Sequence, residues 1–394
     1  MKNTVVLKRP PQGALRFGHP WIYRNQIKEV SSGAQPGDVL RVMTETDKYL
    51  GSAYWNPKSE ITLRLLTRKE EAVDGTFIRA RIAKALDFRR RYVRDTNSYR
   101  LISSEADGLP GLVVDKYDEV LVVQFLTLGM EAMKSSVLEV LSEVVPNKGI
   151  YERSDSSVRK LEGLPEVAGW VGKPGPEEVI VREKDVEIKL VFGAGHKTGW
   201  YLDQRDNRFI LRENVVVGGQ ALDAFCYEGG FGLQLAKAGM SVLGVDSQKD
   251  VIERAESHRK RNGLSDSQLS FQVGNAFDVL KELDKAGRKF DLVVMDPPSF
   301  VKQKSALKSA LTGYKEILIR GFRMLNEGGK LAVFSCAYHL DDNFLLQACL
   351  AAARDARVSL RLLKFLKQST DHPIDPYIAE TYYLKGFLFE TSSL

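Results

Sequence analysis

Two short stretches hold the residue types that could carry covalent chemistry. FDLVVMDPPSF (290–300) closes an apolar run with the carboxylate of Asp296, two prolines and Phe300. KLAVFSCAYHL (330–340) closes another with Cys336, one of three cysteines in 394 residues. A thiol is intrinsically nucleophilic, and its neighbours can lower its pKa. Proline fixes the backbone and removes an N–H donor. Asp296, Pro297 and Pro298 can therefore turn a carboxylate and carbonyls toward the edge of a planar base, with Phe300 stacked on its face. One helical segment separates the two runs, which predicts neighbouring parallel strands with Asp296 and Cys336 at their carboxyl ends, where such sheets bind ligands. The plainer reading of Cys336 is packing, because cysteine is among the most buried residue types. Cys226 and Cys349 lack chemical neighbours of this kind and are expected to pack; His339 and His372 are expected to shape loops.

A second constellation suits a nucleotide-like ligand. In LDAFCYEGGFGLQLAKAG (222–239) a strand ending near Asp223 runs through a turn with Phe225, Tyr227, Gly229 and Gly230 into a helix. Glycines let backbone approach a ligand, and a helix start offers unpaired N–H groups. The next strand ends in VLGVDS, placing Asp246 and Ser247 where a carboxylate can accept ribose hydroxyl protons. Dinucleotide oxidoreductases and S-adenosylmethionine enzymes share this arrangement. DPPSF separates them: it resembles the substrate-side motif of methyltransferases acting on planar nitrogenous groups, which hydride transfer does not need. In that fold a polar residue after the third strand reads the adenine amino group. Asn275, beside Ala276, stands there with a carbonyl that can accept the bond.

The elements that must hold these residues alternate strand and helix. QALDAF, SVLGVD, LSFQV, FDLVVMD and KLAVFSC are apolar runs suited to buried parallel strands. GLQLAKAG, KDVIERAESHRKRNG and LKSALTGYKEILIRGFRMLNEGG are helical, with Asn262-Gly263 and Gly328-Gly329 as stops, and TYYLKGFLFE reads as a last strand. The expected fold class is α/β, a doubly wound sheet over 196–394. Residues 1–72 hold short β-type runs broken by PPQG, GHP, QPGD and NPKS, the pattern of a small barrel. Residues 73–195 read as a central α+β domain.

Composition narrows the class. The chain is 43% hydrophobic and 27% charged, without an apolar run near the roughly 20 residues needed to span a bilayer. The opening MKNTVVLKRPPQG has no apolar core, so no secretory signal is expected. Few cysteines without paired spacing predict neither disulfides nor a metal, and a reducing cytoplasm. The net charge is +6, with basic clusters at 259–263, 87–95 and 302–309. Together they favour a nucleic acid as partner.

At full length the sequence resembles the bacterial large-subunit (23S) ribosomal RNA cytosine-5 methyltransferases that carry an N-terminal PUA domain. GHPWIYRNQI, GDVL and NPKSEITLRLL resemble the PUA barrel; EADGLPGLVVDKY and YERSD resemble the central domain. HKTGWYLDQRDNR (196–208) resembles that family's KTG-aromatic-aromatic-LDQR-NR signature. The resemblance implies a Rossmann-like class I methyltransferase domain, S-adenosyl-L-methionine as cofactor and RNA as partner. It also implies that Lys197, Thr198, Tyr201, Asp203 and Arg205 lie near the cofactor; alternatively, Asp203, Arg205 and Arg208 form a structural ion-pair network. Two residues depart from the pattern: Glu228 stands where threonine is usual, and Asn275 where aspartate is.

In the implied chemistry a Cys336 thiolate adds to carbon 6 of cytosine and makes carbon 5 nucleophilic, while Asp296 holds the ring nitrogen. A paired base would first have to leave its stack. Methylation of a guanine or adenine nitrogen fits DPPSF equally well, and a non-catalytic RNA-binding or ribosome-assembly factor is the alternative outside enzymes. Three domains in an extended chain would expose strand edges able to pair in a homodimer.

Overall fold

The computed structural model describes residues 3–192, 199–299, 307–337 and 340–393, with side chains omitted at 307–310. The chain divides into two compact units. The first comprises Met1–Val181, Lys189–Leu202 and Thr370–Thr381; the second comprises Arg182–Ile188, Asp203–Ser369 and Tyr382–Leu394.

The first unit carries two sheets. Strands Thr4–Leu7, Trp21–Ile22, Ile27–Val30, Val39–Met43, Tyr49–Trp55 and Leu63–Thr67 form a six-stranded PUA-like sheet. Val5, Leu7, Leu40, Val42 and Leu63 are buried in its own core. Strands Ser98–Ser103, Leu112–Tyr117, Val120–Phe125, Gly149–Ser154 and Val167–Trp170 form the second sheet. The helix Gly75–Tyr92 starts where the Asp74 carboxylate accepts from the Thr76 and Phe77 N–H groups. Its apolar face, Phe77, Ile78, Ile82 and Leu86, shares a core with Leu101, Val114, Leu121 and Val123 of that sheet.

Two basic clusters are less exposed than the sequence suggests. Arg89, inside DFRRRYVRD, is fully buried; it donates to both Asp107 oxygens at 2.5 and 2.8 Å and to the Arg100 carbonyl at 2.8 Å. Arg91 pairs with Asp87 at 2.6 Å, and Arg90 and Arg94 are exposed cations with no carboxylate partner among the described residues. Arg259 is buried between Glu256 and Asp266. Most of KQKSALKS lies outside the described residues.

The second unit is one seven-stranded sheet with helices between its strands. Its strands are β1 (Gln220–Ala224), β2 (Ser241–Asp246), β3 (Leu269–Val273), β4 (Phe290–Met295), β5 (Leu325–Ser335), β6 (Val358–Lys367) and β7 (Lys385–Ser393). Its helices include α1 (Arg205–Arg212), α2 (Gly230–Lys237), α3 (Lys249–Arg261), α4 (Ala276–Lys285), α5 (Leu307–Arg323) and α6 (Asp342–Ala356). The strand order is β3-β2-β1-β4-β5-β7-β6. The first five strands are parallel and β7 is antiparallel to both neighbours. Leu222, Val293, Met295, Leu331 and Val333 bury one sheet face against Tyr314, Ile317 and Phe322 of α5 and Leu345 and Cys349 of α6. The central strands are apolar runs because helices cover both faces.

Asn262-Gly263 ends α3 as expected, with Gly263 at φ 66°. Gly328-Gly329 does not end α5. The helix stops at Arg323 because Leu325 already pairs with Phe290, and the glycines lie in the bulge before Lys330 meets Leu292. Strand β6 had no clear signal: it is the sheet's edge, with Phe365 69% exposed, so its alternation is blurred.

Candidate cofactor and catalytic site

The turn after β1 is built on unusual backbone. Phe225 and Tyr227 sit at φ 65° and 50°, and Gly229 at 82°. Such values strain any residue with a Cβ by about 1–2 kcal/mol. At Gly229 a Cβ would also stand 2.8 Å from the Phe271 ring. Of the strained residues, Tyr227 is held by Asp246 at the end of β2. Its Oδ2 accepts from the Tyr227 N–H at 3.0 Å and its Oδ1 from the Gln248 N–H at 3.1 Å. Ser247 beside it is exposed.

Asp223 is fully buried beneath this turn. Its Oδ2 accepts from the Gly232 N–H of α2 at 2.9 Å, and its Oδ1 has no hydrogen-bond partner among the described residues. Burial pushes its carboxyl up to about 7; the Gly232 N–H opposes this, while the Asp296 and Asp246 carboxylates add to it.

Asn275 is exposed and caps α4, its Oδ1 accepting from the Phe277 N–H at 2.9 Å. Ala276 behind it is buried, and Phe277 meets Phe225 edge-on at 6.3 Å. Glu228 places little net charge in the site: its Oε1 accepts from the Arg254 Nε at 2.6 Å.

Asp296 lies one residue past β4 and Cys336 one past β5, on strands whose register pairs Met295 with Val333. Asp296 is half-buried and Cys336 is exposed. Both act electrostatically on the buried phenol of Tyr314 on α5, whose pKa is raised chiefly by burial. Gln204 donates from Nε2 to the Asp296 Oδ2 at 2.9 Å, and its own Oε1 accepts from the Asn207 Nδ2 at 2.6 Å. Pro297 is buried and Pro298 exposed. Phe300, Lys197, Thr198 and His339 lie outside the described residues.

The rest of the LDQRDNR stretch is anchored by hydrogen bonds and ion pairs. The Asp203 Oδ2 accepts from the Tyr383 hydroxyl at 2.9 Å, and its Oδ1 has no partner among the described residues. Arg205, buried, pairs with Asp206 at 2.9 Å. Arg208 makes two buried bonds to Glu183, at 2.8 and 2.5 Å. Tyr201 is half-buried and belongs to the first unit. Cys226 and Cys349 are buried, and burial pushes both thiols up. His372 is buried against Asp371 at 3.2 Å.

Gln204 and Tyr383 were not singled out from sequence. Gln204 sits inside a motif whose charged residues drew attention, and Tyr383 is 180 positions from its partner. Among the described residues no group of three or more His, Cys, Asp or Glu could hold a metal. No helix among them is long and apolar enough to cross a membrane.

Comparison with known proteins agrees with this architecture. The PUA-like domain profile matches residues 5–68, and that of the S-adenosylmethionine-dependent methyltransferases matches residues 157–390. The chain is 38% identical to the ribosomal RNA large subunit methyltransferase I of Shewanella denitrificans, covering 98% of this chain and 99% of that one. It is 35% identical to the enzyme of the same name from Alteromonas mediterranea, covering 100% of both. A putative S-adenosylmethionine-dependent methyltransferase structure from Streptococcus mutans superimposes with a TM-score of 0.82 at 20% identity, over 99% of this chain and 100% of the other. The chain thus belongs to the ribosomal RNA large subunit methyltransferase I family of S-adenosylmethionine-dependent methyltransferases.

Proposed function

We propose that this protein methylates carbon 5 of a cytosine in RNA, namely 23S ribosomal RNA, through a covalent adduct with Cys336. The observation that carries this reading is the exposed Cys336 thiol and the Gln204-held Asp296 carboxylate, each one residue past the end of neighbouring parallel strands.

The residues around the turn fit S-adenosylmethionine. Asp223 has an unpartnered buried oxygen suited to a cationic ligand, and Gly229, at φ 82° with Phe271 against its Cα, lets the turn close tightly ahead of the N–H groups that start α2. Asp246 would hold the ribose hydroxyls, Asn275 and Ala276 would border the adenine, and Asp203, Arg205, Tyr201, Lys197 and Thr198 would line the remainder. When bound, the cofactor supplies the electrophilic methyl group that carbon 5 takes.

Cys336, as a thiolate, adds to carbon 6 of the base, and carbon 5 becomes enamine-like. In its protonated form Asp296 donates a hydrogen bond to the ring nitrogen as negative charge develops there, with Gln204 fixing the carboxyl group through its other oxygen. Pro298 and Phe300 border the base. Once a base takes the carbon-5 proton, the Cys336 sulfur leaves carbon 6 and the ring is restored.

In this reading residues 1–72 form the RNA-holding domain, 73–195 the central domain and 196–394 the catalytic domain. The protein acts in the cytoplasm, and a homodimer would pair through an exposed strand edge. The test is nucleoside mass spectrometry and bisulfite mapping of ribosomal RNA treated with wild type or Cys336→Ala. Loss of 5-methylcytosine in the variant is expected. Unchanged transfer, or a methylated purine in place of cytosine, overturns the proposal.

A further inference from the structure

Lys385 opens strand β7 and pairs in antiparallel register with Ser335, the residue before Cys336. It is only 5% exposed. A buried lysine is normally found paired with an acid, yet this one has no carboxylate within ion-pair distance among the described residues. Its Nζ donates to the Tyr383 carbonyl at 3.3 Å and sits 5.3 Å from the centre of the Tyr382 ring.

The charged groups that act on it come from two elements. Asp341 and Asp342 at the start of α6 act on it at longer range, and so does Cys336 at the end of β5. Both carboxylates are already engaged: the Asp341 Oδ1 caps α6 through the Phe344 N–H, and the Asp342 Oδ1 accepts from the Tyr382 hydroxyl. Tyr314 of α5, which acts on Cys336 and not on Lys385, has its pKa raised chiefly by burial. Burial lowers the pKa of Lys385, and the charges of Asp342, Asp341 and Cys336 oppose that shift. A buried lysine with no carboxylate in ion-pair distance among the described residues therefore stands across from Ser335, next to the strand end that carries the nucleophile.

We propose that Lys385 is a positioning residue that stabilises Cys336 as a thiolate and so readies it for attack. This deepens the proposed function and rests on Cys336 being the nucleophile. The proton leaves the thiol for solvent, Lys385 keeps its own, and the product is an ammonium–thiolate pair in which neither partner changes oxidation state. A carboxylate in place of Cys336 would settle the cation permanently; a thiol does so only in its reactive form.

The test uses the full chain without RNA. Carbamidomethylation of Cys336 by iodoacetamide is followed by peptide mass spectrometry from pH 5.5 to 10, with Cys336→Ser as the blank. The midpoint is expected to move up by about one pH unit in Lys385→Met, making alkylation about tenfold slower at pH 7. Lys385→Arg should restore most of the shift by returning the charge. If Lys385→Met does not fold, as judged by circular dichroism, Lys385→Gln takes its place. An unchanged midpoint in a folded neutral variant, or no rescue by arginine, overturns the inference. Because alkylation reads the thiol alone, this result is independent of which nucleobase atom is methylated.

Discussion

Replacing Asp223 with asparagine should stabilise the protein at alkaline pH and do little at acid pH. The carboxyl is fully buried and has one oxygen without a partner, and its pKa is pushed from an ordinary 3.8 to about 7. The folded state therefore holds this proton more tightly than the unfolded chain does. Stability from this group is fully present below about pH 4 and is lost as pH rises to about 7. At about 1.4 kcal/mol per pH unit, the loss reaches about 4 kcal/mol above pH 8. Asparagine keeps an acceptor for the Gly232 N–H and has no charge to bury. Urea unfolding of wild type and Asp223→Asn at pH 5, 6, 7 and 8 should show a gap that widens with pH. Far-UV circular dichroism is the right probe, because Trp21, Trp55, Trp170 and Trp200 all lie in the first unit and leave the second without a tryptophan. A pH-independent gap, or one that narrows as pH rises, would refute the reasoning. The same carboxyl predicts that the cationic cofactor binds with proton release near pH 6–7, and that the variant loses this release in calorimetry.

Other outcomes follow from single contacts. Gly229→Ala forces a Cβ to within 2.8 Å of the Phe271 ring at φ 82°, and should weaken cofactor binding by about tenfold or more in calorimetry. Arg208→Met removes two bonds from the buried Glu183 carboxylate and should cost about 3–5 kcal/mol in urea unfolding; an effect below 1 kcal/mol would mean that the pair is not desolvated. RNA binding through surface cations should fall steeply between 50 and 200 mM salt while cofactor affinity barely moves; equal sensitivity in filter binding and calorimetry would count against phosphate contacts.

The second unit's five parallel strands were legible because each is a short apolar run closed by a polar residue, and those closing residues are the ones with chemical potential. What was not legible follows physical lines. Edge strand β6 exposes Leu362 and Phe365, so hydrophobicity and burial disagree there. The end of α5 is set by the pairing of Leu325 with Phe290, not by the nearby glycines. The arginine run at 89–91 reads as one basic patch, yet Arg89 turns inward to Asp107 because its place on the helix faces the core.

By itself the sequence determined which side chains stand at strand ends: Asp223, Asp246, Asp296 and Cys336 close apolar runs, and strand periodicity and run length are local properties. Only tertiary structure decided what each of them meets. Gln204 reaches Asp296, Tyr383 reaches Asp203 and Lys385 comes up beside Ser335 because residues far apart in the chain are brought together by sheet register. The charge state of Asp223 was likewise set by burial, a property of the packed unit and not of any local stretch.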